Sequence, residues 1–222
     1  MLKLIIGNRA YSSWSMRGWL ACKLSGEEFE ELVVPLFDDE WEQKRDGDEF
    51  APSMGKVPIM WDGDCVVWDS LAIIEFLCDR VGRDKFWPAE DSARGMARSM
   101  AAEMHSSFAN LRRELPMNVR RTYPPVDVSD EVRVEIDRIM QLWAQARARF
   151  GGKEGDYLFG KWCAADIMFA PVVTRFITYG VDVPPFAALY MKAVLSHPDV
   201  NEWIDKAQDE PWVIEQYENE AA

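Results

Sequence analysis

Val57–Glu75 reads VPIMWDGDCVVWDSLAIIE, and the fold turns on how this stretch is divided. Two β-rich runs, Val57–Trp61 and Cys65–Trp68, flank Asp62-Gly63, a pair that favours a tight hairpin. Ser70 then stands as a cap before an apolar helix, Leu71–Cys78. Upstream, Leu2–Ile6 reads as a strand ended by Gly7-Asn8, and Met16, Trp19, Leu20 and Leu24 recur at helical spacing. Phe29–Val34 makes a second strand, closed by Pro35.

The resulting order is strand, helix, strand, hairpin, helix. It suits a mixed four-stranded sheet with helices packed on it, its first βαβ unit parallel and right-handed. This is the order of a thioredoxin-like domain. After Trp87-Pro88 everything reads as helix, so the expected organisation is an α/β domain over 1–82 and an all-α helical-bundle domain over 91–222. Met96, Met100, Met104, Phe108, Leu111 and Leu115 mark one face of a long helix that Pro116 ends. A second helix carries Val132, Ile136, Ile139, Met140, Trp143 and Phe150, with Ser129 as cap and Gly151 just beyond. A third spans about Ala164–Tyr179, and two more follow Pro184-Pro185 and His197-Pro198.

Composition narrows the function. The chain has 222 residues, 48% of them hydrophobic, which is ample for a packed core. A net charge of −13 repels nucleic acid phosphates and anionic lipid surfaces, while a local basic pocket can still draw in a small anion. The acid runs Glu27–Glu31, Asp38–Glu49 and Glu215–Glu220 read as solvated faces. Cys22, Cys65, Cys78 and Cys163 lie far apart with no Cys-x-x-Cys pair, and His105 and His197 are equally isolated, so no metal site is encoded locally. Reduced thiols and the absence of a long apolar run point to the cytoplasm.

The chemistry gathers at Tyr11-Ser12-Ser13-Trp14-Ser15-Met16-Arg17, where hydroxyls meet the start of a helix whose free N–H groups and dipole attract an anion. Such a cradle suits a thiolate. A free thiol titrates near about 8.5, and lowering it by about two units takes about 2.7 kcal/mol of preference for the charged form. A serine in this place is most often a plain helix cap. Lys56-Val57-Pro58 adds a proline that can sit cis and leave the preceding backbone open to pair with a peptide ligand. Asp69-Ser70 adds a carboxylate and a hydroxyl at a helix start, able to hold an ammonium and a carboxylate together.

Ser-Ser-x-Ser-x-Arg near the start, Val-Pro before a hairpin, and Asp-Ser-Leu-Ala-Ile-Ile-Glu opening the next helix together resemble the soluble glutathione S-transferases of the serine type. The first motif is closest to the zeta class, which includes maleylacetoacetate isomerase, with Trp14 where that class has cysteine. Gly160–Ile167 is similar to the family's helix-capping segment, with Cys163 where Ser or Thr normally stands and Asp166 read as structural. The resemblance implies a cytoplasmic homodimeric enzyme, without a metal, that activates glutathione as thiolate for addition to electrophilic small molecules, as in detoxification. A glutathione-dependent isomerase, a peroxidase, or a noncatalytic binding module on the same scaffold are the alternatives.

Carried over by position, Ser12 and Ser13 contact the sulfur, with Ser12, five residues before Arg17, as activator. Trp14 walls the sulfur pocket, Val57 pairs with the cysteinyl unit, Pro58 is the cis proline, and Asp69 and Ser70 clamp the γ-glutamyl end. Lys44 and Lys56 are candidate partners of the glycine carboxylate. The electrophile pocket is expected between the domains, from Met104, His105, Phe108, Arg112 and Met117.

Overall fold

The computed structural model describes residues 1–152 and 155–218; Glu220 of the acidic tail lies outside the described residues. Its sheet is built from β1 (Leu2–Gly7), β2 (Phe29–Val34), β3 (Ile59–Asp62) and β4 (Cys65–Val67), in the order β2-β1-β3-β4. β1 runs parallel to β2, with Leu2 opposite Phe29, and antiparallel to β3, with Ile5 opposite Ile59. β3 and β4 form the expected hairpin about Asp62 and Gly63. The alternation of β1 sorts its side chains: Leu2, Leu4 and Ile6 point into the main core, and Ile5 faces the opposite side.

Helices α1 (Ser13–Ser25) and α3 (Ser70–Val81) cover the first face. The close fit depends on Gly18, where a Cβ would stand 2.8 Å from the Pro58 ring. That face continues without interruption into the helical half, from Leu4 and Leu20 through Ile73 to Trp143 and Phe169. Complete burial of side chains such as Leu4, Leu20 and Ile73 contributes about 1.5–3 kcal/mol each. The second face is covered by a helix the sequence pattern did not disclose, α2 (Asp39–Lys44), capped by Asp38. It seats Trp41 edge-on against Phe50 at 5.3 Å. The acid run over 38–49 is therefore not simply a solvated face: Asp39, Glu42, Asp46, Asp48 and Glu49 are exposed while Trp41 fills a small core with Ile5, Val34 and Ile59.

Beyond the short α4 (Arg83–Phe86), the chain is helical: α5 (Asp91–Ser106), α6 (Ala109–Glu114), α7 (Asp130–Phe150), α8 (Ala164–Thr178), α9 (Pro185–Leu195) and α10 (Pro198–Gln208). None of the described helices is long and apolar enough to cross a membrane. The long helix expected to end at Pro116 is broken. Phe108 takes a left-handed conformation, φ 62°, and α6 starts afresh. Its free N–H groups are met by Glu135 of α7, which accepts from Asn110 and from Leu111 at 2.7 Å. No periodicity argument sees a cap supplied from another helix.

Two smaller differences concern caps. Asp69, not Ser70, caps α3, accepting from the Leu71 N–H at 3.1 Å, and Ser70 becomes the first helical residue. At α8, Asp166 accepts from the backbone N–H of Cys163 at 3.0 Å and from that of Leu158 at 3.1 Å. Asp166 thus has the structural role read for it. Burial raises its pKa from 3.8 to about 6, against the lowering effect of those two bonds. Between these values the folded chain holds a proton that the unfolded chain has lost, so rising pH lowers the stability contributed by this group. Asp166→Asn removes that slope: the stability gap between wild type and variant, measured by urea unfolding across the window, is expected to shrink as pH rises. Asp166→Ala leaves two buried donors unpaired and is expected to cost about 2–4 kcal/mol.

Candidate functional site

β1 hands over to α1 through Asn8–Ser12, and this loop is pinned from several sides. Ser12 caps α1, its Oγ accepting from the Ser15 N–H at 3.3 Å and donating to Ser15 Oγ at 2.8 Å. Ser15 Oγ in turn accepts from the Gly7 N–H at 2.9 Å. The Ser12 hydroxyl is thereby committed to the loop. Ser13, at the first turn of α1, is placed differently: its Oγ accepts from Arg175 Nη2 of α8 at 3.2 Å, which leaves its own O–H free to donate.

The C-terminal segment folds back over the same loop. Arg9 donates from its backbone and its guanidinium to Glu210, and also pairs with Glu31. Trp203 Nε1 donates to the Arg9 carbonyl at 3.1 Å. Tyr11, Asn118 and Arg121 all donate to Glu218, and Arg120 Nη2 donates to the Tyr11 hydroxyl at 2.6 Å. Burial pushes the Glu218 carboxyl up, but the bonds from Tyr11, Arg121 and Asn118 prevail and leave it lowered. Burial, then the bond to Glu218, raises the Tyr11 phenol. So Glu218, read as part of a solvated acidic tail, is a half-buried anchor.

These contacts frame a cleft of about 750 Å³ between the sheet's edge loops and the helical half. Of the residues expected here, Ser12, Ser13, Trp14, Lys56, Val57, Asp69, His105, Arg112 and Met117 line it. The Val57–Pro58 bond is cis, and Val57 stands just before the paired run of β3. Asp69 faces His105 Nε2 at 3.3 Å, and His105 meets the Trp14 ring edge-on at 5.2 Å. Trp14 also stacks beneath Arg17 at 4.7 Å and Arg112 at 5.6 Å.

Five expected residues stand elsewhere. Met104 and Phe108 are buried in the main core, because the break after α5 turns their faces inward instead of toward the cleft. Pro58 lies beneath the cleft floor against Gly18. Ser70 is fully buried behind Asp69, where its Oγ has no hydrogen-bond partner. Lys44 is at the exposed end of α2, and the next residue, Arg45, reaches the cleft in its place.

Sequence reasoning missed Arg45, Phe37, Arg175, Ile214 and Tyr217, all of which line the cleft. Arg45 belongs to the unrecognised α2, and Arg175, Ile214 and Tyr217 arrive from sequence positions far from the loop. No local signal marks them. The charged lining is distinctive: among the described residues, Arg45, Lys56, Arg112 and Arg175 stand against the single carboxylate of Asp69, in a chain of net charge −13.

A thioredoxin-like sheet followed by a helical half, with a serine-bearing loop, a cis-proline and an acidic helix cap around one basic cleft, defines the glutathione-transferase class of fold. The relatives agree. Residues 11–80 match the family described as glutathione S-transferase, N-terminal domain. Glutathione S-transferase GstB of Escherichia coli is 24% identical over 196 residues, covering 83% of this chain and 86% of the relative. Glutathione S-transferase 1 of Dianthus caryophyllus is 25% identical over 195 residues, covering 84% of each. A glutathione transferase homolog from Burkholderia BGR1, solved with bound glutathione, superposes with a TM-score of 0.69 at 23% identity, over 94% of this chain and 99% of that one. Maleyl pyruvate isomerase, a bacterial zeta-class enzyme, gives the same TM-score, identity and coverage. Residues 11–80 thus match a glutathione S-transferase N-terminal domain, and over most of its length the chain is similar to glutathione S-transferases in sequence and in fold.

The Arg9–Glu210 pair is the buried link between the serine loop and the C-terminal segment. Glu210→Ala leaves Arg9 with Glu31 alone and two donors unpaired, and is expected to cost about 3–5 kcal/mol in urea unfolding. Protease cleavage after residue 208 should accelerate in the same variant, since the segment loses its anchor.

Proposed function

We propose that this chain binds glutathione in the cleft and activates its thiol for attack on a small electrophile. One observation carries the reading: a basic cleft in a strongly acidic protein brings Ser13, Val57 and Asp69 onto one wall, with Arg45 and Lys56 beside them. Glutathione as thiolate has two carboxylates, one ammonium and the sulfur anion, and the lining offers a partner for each.

The division into domains 1–82 and 91–222 assigns the tripeptide to the first and the electrophile to the space between. Asp69 takes the γ-glutamyl ammonium. The N–H groups at the start of α3 take the neighbouring carboxylate. The cysteinyl backbone pairs with Val57, and Arg45 with Lys56 takes the glycine carboxylate. The sulfur then comes to the N-terminus of α1. There Ser13 has a proton to donate, whereas Ser12 has spent its own on Ser15, so the activating role passes from Ser12 to Ser13. The sulfur's electron pair forms the new bond to carbon while the electrophile's leaving group or π-electrons take up the charge. Trp14, His105, Arg112 and Met117 wall the acceptor side. The resemblance to the family further supports a cytoplasmic homodimer acting in detoxification.

Calorimetry with glutathione and turnover of a chloronitroaromatic acceptor test this reading. Ser13→Ala is expected to lower kcat/KM by about 10²–10³-fold, the usual effect of losing one anion-stabilising donor. Ser12→Ala should chiefly cost about 1 kcal/mol of stability through the lost cap. Arg45→Ala should weaken glutathione binding about tenfold, equivalent to about 1.4 kcal/mol. Absence of glutathione binding by the wild type sinks the assignment; loss of turnover confined to Ser12→Ala returns the activating role to Ser12.

A further inference from the structure

Three guanidinium groups converge behind the serine loop from three different helices: Arg17 of α1, Arg112 of α6 and Arg175 of α8. Arg17 is fully buried; its Nε donates to the Met168 carbonyl at 3.0 Å, and both Nη atoms lack a hydrogen-bond partner. Arg175, also buried, donates to the carbonyls of Leu115 at 2.8 Å and Pro171 at 3.3 Å, and to Ser13 Oγ. Arg112 donates to the carbonyls of Ser107 and Met104. Every one of these bonds goes to a neutral oxygen.

The charged and titratable groups facing the trio are few. Asp69, at the start of α3, attracts Arg17, and Glu135 of α7 attracts Arg112. Tyr179 and Tyr217 face Arg175, and His105 of α5 stands on Asp69. Both carboxylates are engaged elsewhere, Asp69 with the Leu71 N–H and His105, Glu135 with Asn110 and Leu111. A buried cation without a bonded counter-ion is costly, so the arrangement favours an anion brought by a ligand. The position it favours is Ser13 Oγ, where Arg175 already makes contact.

We propose that Arg175, backed by the charge of Arg17 and Arg112, is the positioning residue that lowers the thiol pKa of bound glutathione by turning the Ser13 O–H toward the sulfur. This rests on the reading of the cleft as a glutathione site. The step is a deprotonation: the S–H bond breaks, its proton passes to solvent water, and the sulfur keeps the electron pair and accepts the Ser13 O–H. Nothing is oxidised or reduced. Because the Ser13 oxygen accepts from Arg175, its proton is released for donation and polarised by a full positive charge. An opposite charge within about 4–6 Å lowers such a pKa by about 1–3 units. Burial, then the neighbouring Arg112, pulls Arg175 itself down to about 10, which leaves it charged where the thiol titrates.

The test is the ultraviolet thiolate absorbance of protein-bound glutathione as a function of pH, in wild type, Arg175→Gln, Arg175→Lys and Arg112→Gln. Arg175→Gln should raise the bound thiol pKa by about 1–2 units while still binding glutathione, and Arg175→Lys should restore much of the shift by keeping the charge. Arg112→Gln, which breaks two carbonyl bonds and the contact with Trp14, should raise it by less and carries the test should Arg175→Gln fail to fold. A wild-type titration curve in folded, glutathione-bound Arg175→Gln or in Arg112→Gln overturns the proposal alone. So does a lysine variant that titrates like the glutamine one, because the role is then structural. No glutathione bound by the wild type overturns the functional reading and this proposal with it.

Discussion

The guanidinium of Arg175 is the interaction on which the cleft depends. From the last turn of α8 it reaches Ser13 at the head of α1, the carbonyl of Leu115 after α6, and Pro171 one turn back in its own helix. One planar side chain thereby sets the separation of the sheet half from the helical half at the point where the chemistry is placed. The cost of burying it is offset by neutral oxygens instead of a carboxylate, so the region keeps a positive potential inside a negative molecule.

A second constraint works from the opposite side. The segment after α10 closes on the serine loop through Glu210 and Glu218, which collect donors from Arg9, Tyr11, Asn118 and Arg121. Ile214 and Tyr217 then become cleft wall. Acidic residues in such runs are usually solvated, and here two of them do structural work because arginines from two other places in the chain converge on them. The same charge type thus has opposite fates: glutamates far from an arginine stay in water, and those that meet one in a partly buried setting become anchors.

Local signals carried the fold a long way. Val57-Pro58, the Asp62-Gly63 hairpin and the helix opening at Asp69-Ser70 were legible because each depends on backbone geometry within a few residues. The long helix over 96–115 was misread because its break is enforced by Glu135, which lies one helix further on. Helix α2 went unseen because its apolar content is Trp41 within a run of charges. That omission also hid Arg45, which faces the cleft next to the expected Lys44.

The amino-acid sequence by itself determined the order of the four strands, the serine loop, the Val57-Pro58 run and the helix start at Asp69-Ser70, since these follow from spacing and turn residues over short stretches. Only the tertiary structure decided which serine has a free proton, which basic residue faces the cleft, and that Arg17, Arg112 and Arg175 lie close together. Those are questions of where hydrogen bonds end and which charges lack a partner. Their answers depend on side chains up to 162 positions apart, meeting only once the two halves have packed.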